Sequence, residues 1–403
     1  MKICSLYGAG FYYIPGTDTC LKVGGWVRSE YNLGSAGSFN PIKVGNFTRD
    51  FAENTLRNRG IITLDARAQT EYGTLRSYIA GGFQTNNGAD GLYIPRAFIQ
   101  LGGFTWGRAQ SFYDFYSTPA YSNTTNVWGA DTGGGGDMVA AYTAQLGNGL
   151  SASISLEDPL TRRTGIYSPT VATAAYAAGP ELPDLVGNLN IAQTWGSAQI
   201  MGAVHQVDSS YYTPGIPGTG HPSDEYGWAV GAGVTVKLPM LGAGDSLSVE
   251  GDYTEGALKY AGGGLGSFLI THGQSTGGGR AADATYTGAT AAVGSSLQLT
   301  KGWSVVGGFQ HSWTPQWKTS LYGTYGEVKY GNLAPAGSDW NYSQVGSRTV
   351  WTPVANLDLS VDVMYQKVGT AAAGTFGAVP AGNTVADQSA WQAIFRVQRN
   401  FWP

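Results

Sequence analysis

The amino-acid sequence predicts an all-β fold: a sixteen-stranded antiparallel transmembrane β-barrel with its third loop folded inward. Three observations carry that prediction. The first is alternation. Between 357 and 366, Leu357, Leu359, Val361, Val363 and Tyr365 share one face, and Asp358, Ser360, Asp362 and Gln366 the other, with Met364 out of step. Successive side chains of a strand point to opposite faces, so such a segment has one oily and one wet surface. The second is composition. Of 403 residues only 12% are charged, 61 are glycine and 24 are tyrosine, whereas soluble domains average roughly 25% charged residues and about 7% glycine. A band that meets lipid needs no charge, and no apolar run approaches the roughly 20 residues of a membrane helix. Strands cross hydrocarbon only as a closed barrel, because an open edge would leave amides unpaired. The third is that short and long connections alternate, as turns and outer loops do in such barrels.

The elements follow in order. Residues 1–20 form a segment ahead of the barrel, which spans 21–403. The close pair Cys4 and Cys20 reads as a disulfide of an oxidising compartment. Closing so short a loop contributes roughly 3 kcal/mol on chain-entropy grounds. The four histidines are scattered, so neither a metal site nor a cofactor is expected. Met1-Lys2-Ile3-Cys4 lacks the apolar run of a signal peptide, and the chain reads as a mature form. Strands are expected over 21–30, 56–69, 74–84, 93–102, 104–111, 137–146, 149–157, 186–195, 197–207, 225–237, 245–256, 300–313, 317–329, 340–352, 356–368 and 389–401, with both termini on the turn side. Short connections such as Gly147-Asn148-Gly149 alternate with long ones such as 158–185, 208–224 and 369–388. The stretch 257–299 is read as a long loop with local structure, although Thr287 to Thr300 leaves room for a further strand pair.

Several strands put charge on one face. Arg57, Arg59, Thr63, Asp65, Arg67 and Gln69 oppose Leu56, Ile62, Leu64, Ala66 and Ala68. An Arg or Lys facing lipid at mid-membrane costs about 2–4 kcal/mol, so these faces line water or ion-pair networks. The connection 112–136 begins Phe112-Tyr113-Asp114-Phe115-Tyr116 and is too aromatic for a solvated surface loop. It is expected to fold into the lumen and narrow it. Asp114, Asp131 and Asp137 would then face a basic wall of Arg28, Arg57, Arg59, Arg67, Arg76, Arg96 and Arg108. Opposed charges across a narrow opening sort solutes by charge and dipole. The alternative is that the arginines pair with Asp65 and Glu71 simply to fill the wall. The run Gly133–Gly136 is no phosphate-binding loop, since no Lys-Ser or Lys-Thr follows.

The stretch Cys4-Ser5-Leu6-Tyr7-Gly8-Ala9-Gly10-Phe11-Tyr12-Tyr13-Ile14-Pro15-Gly16-Thr17-Asp18-Thr19-Cys20 resembles the opening of the alphaproteobacterial porin family of rhizobia and brucellae. Phe115-Tyr116-Ser117-Thr118-Pro119, Trp128, Gly133–Gly136, Val345-Gly346-Ser347-Arg348 and Phe395-Arg396-Val397-Gln398-Arg399-Asn400-Phe401 extend the resemblance nearly end to end. It implies an outer-membrane homotrimer set in lipid and lipopolysaccharide. Such a protein passes ions and small hydrophilic solutes passively, with its third loop in the lumen. A small-residue trimer patch would comprise Gly25, Val27, Ala66, Ala68, Gly107 and Ala109. Trp26, Trp351, Tyr365 and Trp391 are candidates for the aromatic girdle. The chain departs from the family pattern by continuing to Trp402-Pro403. Proline cannot donate to the ladder, so the last strand is expected to end at Phe401.

Other functions fit less well. A channel specific for a sugar or organic anion, or a plugged structural barrel, remain alternatives. No Gly-x-Ser-x-Gly or His-Glu-x-x-His motif suggests an enzyme. A net charge of −4 without a basic stripe speaks against a nucleic-acid partner. The arginines of the first five strands pull towards anions, but the acidic balance sets the expectation at a mild cation preference.

Overall fold

The computed structural model describes residues 2–34, 44–47, 54–124, 127–129, 131–132, 135–170, 177–213, 215–262, 268–372, 379 and 382–401. Met1, Gly133, Gly134, Trp402 and Pro403, which figured in the sequence reading, lie outside these. Sixteen strands build the wall: β1 (Cys20–Leu33), β2 (Asn54–Thr70), β3 (Gly73–Asn86), β4 (Ala89–Leu101), β5 (Phe104–Ala109), β6 (Asp137–Gly147), β7 (Leu150–Glu157), β8 (Asp184–Gln193), β9 (Gly196–Val207), β10 (Glu225–Lys237), β11 (Ser246–Glu255), β12 (Lys301–Ser312), β13 (Trp317–Lys329), β14 (Trp340–Val354), β15 (Leu357–Gly369) and β16 (Gln388–Phe401). Each pairs antiparallel with the next. β1 also pairs with β16, from Gly25↔Phe401 to Leu33↔Ala393, which closes the sheet and removes its edges.

The alternation of the sequence becomes the two surfaces of this wall. Leu56, Ile62, Leu64, Ile154, Leu156, Val230, Val361, Phe395 and Val397 stand exposed on the outside, as apolar side chains do where lipid replaces water. Aromatic pairs stack on the same surface: Trp317 on Trp351 at 5.6 Å, and Tyr365 against Trp391 at 5.0 Å. Trp26 departs from the girdle expected for it. It shares the inward parity of Arg28, whose guanidinium lies 4.3 Å from its ring.

The turns follow local chemistry. Asn148 (φ 50°) and Asn356 (φ 64°) occupy the left-handed region at the inner turns, a conformation that asparagine tolerates better than most residues. Gly25 is required for another reason. A Cβ there would lie 2.1 Å from the Ile61 carbonyl oxygen, so the close approach of β1 to β2 admits only glycine.

Two details correct the sequence reading. The connection between β3 and β4, on the loop side, is only Asn87-Gly88, so the alternation of short and long connections fails there. β5 ends at Ala109 rather than 111. As expected, the stretch 257–299 is a loop with local structure, and its described residues add no strand to the wall. It forms a hairpin, Phe268–His272 with Ser275–Gly279, and two short strands, Ala284–Thr285 and Gln298–Leu299. These pair with other outer loops: Leu269–His272 with Val44–Phe47, Ser275–Thr276 with Thr384–Val385, and Ala284–Thr285 with Ile166–Tyr167.

The N-terminal segment is tied to the wall. Cys4 and Cys20 form a disulfide with Cα atoms 6.0 Å apart. The short strand Tyr12–Tyr13 pairs with Cys20–Leu21.

Candidate functional site

The lumen divides into two arcs. The first is walled by β1 to β5 and by β16. Register places Lys22, Arg28 and Glu30 of β1 opposite Asp65, Arg59 and Arg57 of β2, and Arg67 of β2 opposite Arg76 of β3. With Arg96 of β4 and Arg396 of β16, eight cations share this inner face with two carboxylates.

Each carboxylate is held between two arginines. Glu30, buried at 1% exposure, accepts from Arg57 Nε at 2.6 Å and from Arg396. Asp65 accepts from both Arg67 and Arg76, with Nε contacts of 2.9 Å from each. Arg28 and Arg59 bind neutral amides instead: Arg28 Nε donates to Gln398 Oε1 at 2.8 Å, and Arg59 to Gln84 Oε1 at 2.6 Å. Among the described residues neither makes an ion pair. Aromatic rings back the guanidiniums, with Tyr93 3.8 Å from Arg59 and Phe11 5.0 Å from Arg67.

The second arc, β7 to β15, is covered by the third loop. The loop leaves β5 and is pinned strand by strand. Glu157 of β7 accepts from the Phe112 N–H at 2.8 Å, Asn188 of β8 donates to the Phe112 carbonyl at 2.6 Å, and Glu250 of β11 accepts from the Tyr116 N–H at 2.6 Å. Further on, Asp362 of β15 accepts from Ser122 Oγ at 2.9 Å, and Arg348 of β14 donates to the carbonyls of Pro119 and Ser122 at 2.9 and 3.0 Å. Arg396 donates to Asn123 Oδ1 at 3.0 Å. The strand side chains thus satisfy backbone groups that an inward loop would otherwise bury without partners.

Packing completes the attachment. Tyr116, Tyr121, Val127 and Trp128 join Val306, Tyr322, Trp340, Tyr342 and Met364 in one buried cluster. Met364, the residue out of step in its strand, is therefore inward and apolar because it meets protein rather than water.

Two of the three sequence-predicted acids, Asp114 and Asp137, bind outer-loop groups rather than the basic wall. Asp114 is buried and binds Arg162 of the following outer loop at 2.7 Å, and accepts from the Thr132 N–H at 2.9 Å. Desolvation pushes its carboxyl above the usual range, against the pull of Arg162. Burial works against the Arg162 cation too, but Asp114, Tyr260 and Glu157 outweigh it and raise its pKa. Asp137 is buried and accepts from Thr161 Oγ1 at 2.6 Å. Asp131, partly exposed, accepts from the Thr118 N–H at 2.9 Å.

Of the seven arginines, Arg28, Arg57, Arg59, Arg67, Arg76 and Arg96 do lie on the inner face. Arg108 does not. It pairs in register with Ala97 and exposed Met138 on the outer parity, beside Phe104 and Trp106, and donates to the Gly135 carbonyl at 2.7 Å. Gly107 and Ala109, expected outside, turn inward with Thr105 for the same reason. Glu71 is not the arginines' partner; Asp65 is. Glu30, Arg396 and Asp362 were missed as site residues, although their alternation marks them as inward. Arg162 sits in an irregular loop, where no periodicity could mark it.

Between the arcs, beside the root of the third loop, lies a cavity of about 480 Å³ lined in part by Arg96, Gln100, Gln110, Asn188, Asn190 and Gln199. Polar side chains converging on an open space can hydrate and pass a solute.

A family model described as a porin subfamily matches residues 1–394. The porin Omp2b of Brucella canis is 26% identical over 414 residues, covering 100% of this chain and 90% of that protein. The Brucella suis biovar 1 protein of the same name is 26% identical over 420 residues, with the same coverage. Among solved structures, the outer-membrane channel DcaP of Acinetobacter baumannii superposes with a TM-score of 0.66 at 16% identity, covering 96% of this chain and 99% of that one. The trimer form of OmpT from Vibrio cholerae has a TM-score of 0.53 at 10% identity, with 96% and 100% covered. At these identities the likeness is one of fold.

Proposed function

The chain belongs to the porin subfamily, outer-membrane channels for passive diffusion, and on that premise we propose that its third loop and the arginine-bearing arc form the constriction that selects solutes. The observation that carries this reading is the fixation of the loop across β7 to β15, with its far end reaching Arg396 of β16, which leaves β1 to β5 as the side of the lumen facing it. Ser117, Pro119 and Ala120 are exposed on the loop, and Asp131 adds the carboxylate nearest to solvent. Ions and small hydrophilic solutes pass between these groups and the guanidiniums. A loop held at so many points presents a fixed opening, so size exclusion needs no moving part.

The same reading includes a homotrimer in outer-membrane lipid and lipopolysaccharide, with Gly25, Val27, Ala66 and Ala68 on the outer faces of β1 and β2 at the subunit contact. The trimeric Vibrio cholerae OmpT supports it by shared fold. The test is single-channel recording in a planar bilayer with a Ser117→Cys variant, whose native cysteines are already joined. Wild-type conductance is expected in groups of three steps. A bulky thiol reagent should lower the current of the variant and leave the wild type unchanged. A labelled variant with full conductance would remove the loop from the passage.

A further inference from the structure

We infer that the lumen selects for small anions, such as chloride and solutes bearing a carboxylate or phosphate, with Arg28 and Arg59 as the residues that set the preference. The inference rests on the constriction reading above and adds the class of solute. It starts from a contrast between two rungs of the same wall. Arg67 and Arg76 are direct cross-strand partners, and Asp65 lies between them and binds both. Arg28 and Arg59 are also direct cross-strand partners. Like charges placed opposite each other are destabilising, and a wall that only needed filling would carry a carboxylate here too. It carries Gln398 and Gln84. The nearest carboxylate in register, Glu30, is engaged by Arg57 and Arg396.

The rungs also form a track. Register sets Arg67 and Arg76 at one level, Arg96 level with Thr63 and Ala80, and Arg28 and Arg59 level with Gln84. Successive levels are four residues apart, about 13 Å along a strand. Guanidiniums are weakly hydrated forks that match carboxylate and phosphate; Trp26 and Tyr93 back these two, and Gln398 and Gln84 take only part of their five donors without neutralising their charge. Of the three acids that could have offset them, Asp114 is engaged by Arg162 and Asp137 by Thr161, and only Asp131, which accepts from the Thr118 N–H, is partly exposed. The local field of the passage is therefore positive although the whole chain is at −4, and in a narrow opening the local field decides which ion enters.

The experiment is the reversal potential of reconstituted trimers under a potassium chloride gradient, for wild type, the double variant R28Q/R59Q and the double variant R28K/R59K. Each is first checked for a folded, heat-modifiable barrel. Wild type should reverse on the chloride side. The glutamine pair should move the potential towards the potassium side, and the lysine pair, which keeps the charge, should hold most of the preference. An open wild-type channel that reverses on the potassium side, or a glutamine pair with unchanged potential, overturns the anion inference and leaves the pore. Folded trimers that pass no current defeat the pore reading, and the inference falls with it.

Discussion

The two arcs of the lumen are made from the same alternating pattern and end in opposite conditions. On β1 to β5 and β16 the inward side chains include seven arginines, Lys22, several amides and two carboxylates. On β11 to β15 they include Val306, Tyr322, Tyr342 and Met364, buried beneath the third loop. A strand's inner face need not be polar because it points into a water-filled barrel; it must suit whatever meets it. Where the loop lies, apolar contact and hydrogen bonds to loop amides replace water. On the other arc charge is tolerated because each buried carboxylate is shared by two arginines and the remaining guanidiniums bind amide oxygens.

The largest expected effect breaks the charged arc. Glu30→Gln strips Arg57 and Arg396 of their buried carboxylate, and removing one partner of a buried ion pair costs about 3–5 kcal/mol. The heat-modification midpoint of the barrel should fall clearly; an unchanged midpoint would mean that water already solvates this network. A smaller effect tests the filled arc. Ser122→Ala removes the hydroxyl that donates to Asp362, worth about 1.5–3 kcal/mol for a bond to a charged group. Here the readout is current noise: a loosened loop should make single-channel current fluctuate more, while a quiet channel would show that the remaining anchors suffice. The smallest effect sharpens the boundary of the charged arc. Arg108→Gln should leave the reversal potential unchanged, because Arg108 stands on the outer parity. A shift comparable with that of R28Q/R59Q would put Arg108 back on the channel wall.

How far the sequence could be read depended on periodicity. Inward positions of long strands, such as Arg57, Arg59, Asp65 and Arg67, were legible because a side chain's face follows from counting by two. Arg108 was misplaced because β5 is short, with only six residues, and its pattern could be counted either way. Trp26 was misplaced because an aromatic residue near a strand end suggested lipid, whereas Arg28 holds its ring inside. The partners of the loop acids were not legible. Asp114 meets Arg162 across 48 positions of chain, a contact created only when two outer loops fold over one mouth.

The sequence by itself determined the barrel class, the closure of the wall, the lipid-facing surface and the Cys4–Cys20 bridge, while the structure decided that 257–299 adds no strand to the sixteen. Each of the sequence-determined features follows from local alternation, composition or close spacing. Only the tertiary structure decided which arc stays open, which carboxylates are spent, and that Arg28 and Arg59 face each other without an acid between them. Those outcomes depend on register around the closed barrel and on where one loop comes to rest. Both are contacts between residues far apart in the chain, and no local pattern specifies them.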